Sequence, residues 1–224
     1  MTKSPRIALI HATRVAIAPV EAAARKLWPE AETVSILEEG LSVDRQREKE
    51  LSPDLWRRIL GLAEYAEAAS ADGILFTCSA FGQAIEDANE KSALPIMKPN
   101  EAMFDAAFAH GNRVAMIYTF GPAAGGMEEE FREAATARGS DAVLTSHFSD
   151  GALAAKQAGD DAAHDRLIAK TAAQIGDADV ILLAQFSMAG AAEAVRAVTD
   201  LPVLTSPEAA ITEIRRRVEA GPGG

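Results

Sequence analysis

Residues 6–12, Arg-Ile-Ala-Leu-Ile-His-Ala, recur as residues 113–119, Arg-Val-Ala-Met-Ile-Tyr-Thr. Arg113 follows Arg6 by 107 positions, and Asp72/Asp179, Ile74/Ile181, Pro95/Pro202 and Glu101/Glu208 keep the same spacing. This predicts an ungapped tandem duplication, so the chain must fold as two similar halves. Each half has about 100 residues, a common domain size. Every position in one half then has a mate in the other. The only cysteine, Cys78, has Gln185 as its mate.

The composition narrows the partners. A formal charge of −11 argues against nucleic acid or an anionic membrane, which require a basic face. It does not argue against a small anion, which backbone N–H groups can hold on an acidic protein. A single cysteine allows no intrachain disulfide and no cysteine metal cluster, and it fits a reducing compartment. The longest apolar stretch, Val180 to Ala192, is broken by Gln185 and Ser187 and is too short to span a bilayer. His11 and Arg14 interrupt the apolar start after Lys3 and Arg6, unlike a signal peptide. A soluble cytoplasmic chain is expected, and no ligand cluster in the sequence points to a metal.

Short apolar runs at 6–10 and 113–117 predict the first strand of each half. Residues 73–77 and 180–184 predict central strands, apolar without alternation as in a parallel sheet covered on both faces. Residues 95–97 and 202–204 predict short strands, and 31–37 and 141–146 a fourth pair. Helical patterns fill the gaps at 19–28, 53–70, 80–88, 102–109, 127–138, 164–175, 189–198 and 207–218. The fold class is therefore α/β: two Rossmann-like parallel-sheet lobes related by a pseudo-twofold repeat. Residues 1–102 with 207–224 form the first lobe, and 103–206 the second. The tail Gly221–Gly224 reads as disordered.

In open parallel sheets ligands bind at the carboxyl ends of the strands. Four such ends fall at His11–Thr13, Cys78–Gly82, Thr119–Pro122 and Gln185–Met188. Cys78 lies just before a helix, whose N-terminus favours a thiolate. It is either a reactive thiol or a small buried hydrophobe. His11 is a candidate acid, base or substrate ligand. His110 reads as a helix end, and His147 and His164 as surface residues. Phe81, Phe120, Phe186 and Met188 are core residues or a wall for substrate. Gly121–Gly126 matches no phosphate-loop spacing. Glu128–Glu130 read as a solvated first helical turn, and Asp44–Glu50 as an exposed loop or helix start, a candidate contact in a homodimer.

Three segments resemble the aspartate/glutamate/hydantoin racemase superfamily. Leu75-Phe76-Thr77-Cys78-Ser79 is similar to its first cysteine motif. Ile181 to Met188 is similar to its second, where the family usually has Cys at the position of Gln185. Ile117-Tyr118-Thr119-Phe120-Gly121-Pro122 resembles its carboxylate-holding loop. The resemblance implies two duplicated α/β lobes and cofactor-independent chemistry on a small carboxylate. It makes Cys78 the catalytic residue. His11, Thr13, Ser79, Thr119, Phe120, Gln185, Phe186 and Ser187 become the substrate-binding set.

In two-thiol members one thiolate removes an α-proton and the other thiol protonates the opposite face. Gln185 has no such chemistry, because an amide does not exchange protons near neutral pH. Single-thiol chemistry remains. It is either isomerisation, as in maleate-type isomerases, where a first-half cysteine adds to the alkene as a nucleophile, or loss of CO2 to an enediolate that one thiol protonates, as in arylmalonate-type decarboxylases, whose cysteine lies in the second half, at the position of Gln185. A non-catalytic carboxylate binder is the third reading.

Overall fold

The computed structural model describes residues 4–48 and 50–221. It contains two four-stranded parallel sheets. The first has the order β2-β1-β3-β4, from β1 (Arg6–His11), β2 (Glu32–Leu37), β3 (Gly73–Phe76) and β4 (Ile96–Met97). The second repeats that order as β6-β5-β7-β8, from β5 (Arg113–Tyr118), β6 (Val143–Phe148), β7 (Val180–Leu183) and β8 (Val203–Thr205). The central strands β3 and β7 are buried along their whole length, which is why their sequences do not alternate.

The repeated residues do the same work twice. Asp72 and Asp179 accept hydrogen bonds from the backbone N–H groups of Arg6 (2.7 Å) and Arg113 (2.9 Å), pinning the start of β1 and β5. The carbonyls of Pro95 and Pro202 accept from Ile74 and Ile181, both at 2.9 Å. The duplication is not ungapped, however. Arg6 registers with Glu32 but Arg113 with Val143, so Val143 stands 111 positions after Glu32, four more than elsewhere. The spacing of 107 returns by β3 and β7, where Ile7 pairs with Gly73 and Val114 with Val180. β6 accordingly starts four residues later than an ungapped repeat of β2 would place it, and two later than the strand expected at 141–146.

Ten helices surround the sheets among the described residues: α1 (Ile17–Leu27), α2 (Gly40–Arg47), α3 (Pro53–Ala68), α4 (Gly82–Lys91), α5 (Glu101–Ala107), α6 (Ala124–Ala137), α7 (Ala152–Gln157), α8 (Asp161–Ala172), α9 (Ala192–Arg196) and α10 (Ser206–Ala220). α10 packs on α1, α5 and β3. One apolar cluster joins both halves, with Ile10, Phe76 and Phe81 of the first against Met116, Phe131 and Leu182 of the second. Phe104 and Phe131 meet edge to face with centroids 5.5 Å apart, a contact worth about 1 kcal/mol beyond its area.

Several sequence expectations need correction. Residues 44–47 form the C-terminal half of helix α2, neither a loop nor a helix start, and residue 49 lies outside the described residues. Glu130 is buried, on the inner side of α6. His164 is fully buried too, with Nδ1 2.7 Å from Asp165 Oδ1. Of the tail read as disordered, residues 222–224 lie outside the described residues, and Gly221 follows the end of α10.

Candidate active site

The same local structure occurs four times. A strand ends, two residues follow, the second of them extended, and a short 3-10 turn leads into a helix. The extended residues are Thr13, Cys78, Phe120 and Gln185, and the turns are Arg14–Ala16, Ser79–Phe81, Gly121–Ala123 and Phe186–Ala191. Cys78 (φ −124°, ψ 122°) and Gln185 (φ −118°, ψ 146°) therefore occupy matching positions in the two halves.

These turns enclose a cleft of about 70 Å³. Its walls include Thr13, Cys78, Ser79, Thr119, Phe120, Gln185, Phe186 and Ser187. Phe186 also belongs to the apolar cluster with Leu9, Trp28 and Ile211, so it is a core residue with one edge on the cleft. Phe81 and Met188 are core residues away from the lining.

His11 stands apart from the lining, in contrast to the sequence expectation. It is fully buried at the end of β1, with Nδ1 2.9 Å from Thr77 Oγ1 and Nε2 3.2 Å from Ser35 Oγ. Each hydroxyl also has a carbonyl or carboxylate acceptor, Glu21 for Ser35 and the Ile10 carbonyl for Thr77, both at 3.3 Å, so one ring nitrogen of the neutral imidazole donates to its hydroxyl and the other accepts. Burial lowers the His11 pKa to about 4 and keeps the ring neutral. Of this pair, Thr77 is the residue that lines the cleft.

Sequence reasoning missed the contributions of α2 and α7. Ser42 and Gln46 come from α2, and Leu153 and Gln157 from α7. Gln46 and Gln157 are mates at the spacing of 111, the same shift that moves β6. Recognising the four-residue insertion would have revealed them.

Two electrostatic features define the cleft. Its described lining carries no Asp, Glu, Lys, Arg or His. Cys78 is half-buried on the cleft wall, and loss of solvation pushes its thiol up to about 11, against the downward pull of the nearby Ala80 N–H and of the Arg45 guanidinium. Desolvation thus outweighs the helix N-terminus, and the resting group is a thiol rather than the thiolate expected from sequence. Across the cleft, Gln185 Oε1 accepts from the Thr119 N–H at 2.8 Å and the Thr119 hydroxyl at 3.0 Å. A backbone N–H can only donate, so this contact fixes which way the amide faces. Nε2 is left buried without a partner among the described residues. Thr119 thus spends both of its donors on Gln185, and Gln185 supplies the free donor. Among the described residues no group of three His, Cys, Asp or Glu side chains is placed to hold a metal.

This architecture, two duplicated lobes with opposed strand-end turns, is that of a known enzyme class. The pattern of the Asp/Glu/hydantoin racemase family matches residues 12–214, and the chain belongs to that family. Among solved structures it is similar to glutamate racemase from Bacillus anthracis, with TM-score 0.79 and 10% identity over 97% of this chain and 83% of that one. Allantoin racemase from Pseudomonas fluorescens gives TM-score 0.71 and 19% identity over 96% and 91%. A liganded double mutant of arylmalonate decarboxylase gives 0.66 and 17% over 97% and 94%. No curated protein sequence matches the chain. No helix among the described residues is long and apolar enough to cross a membrane.

Proposed function

We propose that this chain is a cofactor-independent enzyme that carries out isomerase-type chemistry on a small carboxylate through one thiol, Cys78. The observation that carries this reading is the pairing of Cys78 with Gln185. They hold equivalent strand ends on one uncharged cleft, and the free NH2 of Gln185 is a ready donor to a carboxylate oxygen. The hydroxyls of Thr13, Ser79 and Ser187 supply further polar contacts.

On an unsaturated acid, Cys78 that has lost its proton to solvent adds to the double bond, the resulting single bond rotates, and the thiolate leaves as the double bond re-forms. On an acid with an α-hydrogen, the same thiolate takes the α-proton. The C–H bond breaks, an S–H bond forms, and the electron pair moves into an enediolate. Its oxygens gain charge, so the neighbouring donors bind it more strongly than the ground-state acid. The thiol reprotonates its own face, or solvent protonates the face of Gln185. The amide itself transfers no proton.

The cleft also restricts the substrate. At about 70 Å³ it is far smaller than pockets for drug-sized ligands, which suits a compact acid. An ammonium group would meet no carboxylate in the described lining, and burying an unpaired charge is costly. The amides of Gln46, Gln157 and Gln185 instead suit neutral carbonyl and N–H groups. This favours a hydantoin-like or unsaturated acid over a free amino acid.

One observation favours a second reading. A thiol held protonated up to about pH 11 is a proton donor at rest. Loss of CO2 from a malonate-type acid leaves an enediolate, and such a thiol would protonate it. Proton NMR in D2O separates the readings. The protein is added to amino, hydroxy, malonic, hydantoin-like and unsaturated acids, with Cys78→Ala as control. Exchange or isomerisation that needs Cys78 supports the first reading, and CO2 loss the second. Binding without turnover across the whole panel would leave a carboxylate-binding protein.

A further inference from the structure

We infer that Arg45 is a positioning residue for Cys78, clamping the thiol-bearing turn to the facing turn of the second lobe and holding a positive charge beside the sulfur. The inference rests on the reading of Cys78 as the working thiol.

Arg45 projects from α2. Its Nε donates to the Ala80 carbonyl at 3.2 Å, Nη1 to the Glu48 carbonyl at 2.8 Å and Nη2 to the Pro122 carbonyl at 3.5 Å. Ala80 lies in the turn after Cys78, and Pro122 in the turn after Phe120. A single planar guanidinium therefore spans both lobes, which is a use of its fork geometry that lysine does not share. The Ala80 carbonyl that Arg45 holds lies two residues after Cys78, in the turn that the thiol opens.

The chemistry of these contacts matters. Arg6, Arg14, Arg58 and Arg113 each pair with carboxylates. The hydrogen bonds of Arg45 go to carbonyl oxygens, which orient its charge without cancelling it. The groups that oppose this charge lie across a second hollow of about 390 Å³ beside the turn, where Glu50, Glu86, Glu129, Glu130 and Glu133 line the walls with Arg45. Lys98 is paired with Glu86 there. The cleft itself contributes no cation. Either chemistry at Cys78 passes through a thiolate, and Arg45 is the side-chain charge that favours one.

The test is the pH dependence of Cys78 alkylation by iodoacetamide, a neutral reagent, on the full chain. Wild type, Arg45→Gln and Arg45→Lys are followed between pH 7 and 10, with thermal unfolding as a check on folding. Loss of the charge slows alkylation at every pH in this range by about threefold to tenfold, the size of a shift of up to one pKa unit. Arg45→Lys, which keeps the charge but not the fork, recovers part of the rate. A folded Arg45→Gln that reacts at the wild-type rate overturns the inference. So does one that reacts faster, since Arg45 would then merely shield the sulfur. These outcomes do not depend on turnover, so failure of the inference is distinct from failure of the proposed function, which the D2O experiment reads.

Discussion

Gln185 and Thr119 are locked together: one amide oxygen accepts from both the backbone N–H (2.8 Å) and the hydroxyl (3.0 Å) of Thr119. Their strand ends are neighbours because β5 and β7 pair in parallel. The lock sends the amide NH2 toward whatever occupies the cleft. Gln185→Glu keeps the acceptor, removes the donor and adds a negative charge. The expected result is at least about tenfold weaker carboxylate binding with a small change in stability. Gln185→Leu leaves the Thr119 N–H unpaired and costs about 1–3 kcal/mol of stability. Calorimetric titration with a compound found by NMR, together with urea unfolding, measures both effects.

The Cys78 thiol makes a second prediction. With its pKa pushed up to about 11 by burial, it is almost wholly protonated at pH 7. Alkylation of the wild type is expected to be slow at pH 7 and to rise about tenfold per pH unit toward pH 10, because only the thiolate reacts. Cys78→Ser fills the site with a hydroxyl that neither gives nor takes a proton readily. It is expected to lower turnover by about 10²–10⁴-fold. A Cys78→Ser variant with wild-type turnover would exclude the proposed role.

Much of this architecture was legible in the sequence, because the duplication repeats residues with fixed structural jobs. Asp72 and Asp179 tie down strand starts, and the runs at 6–10 and 73–77 are apolar because both faces are covered. Cys78 and Gln185 could be placed opposite each other by spacing alone. What was not legible depends on tertiary packing. α2 buries only Leu41 and Ser42, so its sequence, Gly-Leu-Ser-Val-Asp-Arg-Gln-Arg, has no apolar stripe to announce a helix. Gln46 and Arg45 were hidden with it. Local pattern placed Glu130 in a solvated turn, but the fold sets α6 against α4 and buries it. The thiol was expected to be acidified by a helix end, and the desolvation that reverses this exists only once the lobes close around it.

His11 yields a prediction about acid stability. Its folded pKa of about 4 lies below the usual 6.5, so the unfolded chain binds the proton more readily. The stabilising contribution is therefore complete above pH 6.5 and is lost as pH falls from there to 4. The loss amounts to about 3 kcal/mol at most. His11→Gln keeps a polar side chain but does not titrate. It is expected to be less stable at pH 7 and to show a flatter decline between pH 6.5 and 4. Urea midpoints at pH 7, 5.5 and 4 measure the difference in slope.

Glu130 has the opposite sign. Its carboxylate oxygens lack hydrogen-bond partners among the described residues, and the nearest ammonium, Lys98, is 3.9 Å from Oε1 and already engaged with Glu86. Burial is the main cause that raises its pKa to about 8. Here the folded state binds the proton more tightly than the unfolded chain. The stabilising contribution is complete below about pH 4.5 and is lost as pH rises through 8, over a range of a few kcal/mol. Glu130→Gln mimics the protonated form and is expected to remove this decline, leaving the variant more stable than wild type at pH 9. The same carboxylate packs against the first residue of α4, where a Cβ on Gly82 would run into Oε1. Oε1 is the far end of a side chain that no hydrogen bond holds, so Gly82→Ala is expected to displace it at a cost of about 1 kcal/mol. Adding Glu130→Ala to it removes the clash and should recover part of that loss in a double-mutant cycle. Full additivity of the two substitutions would show that the contact carries no energy.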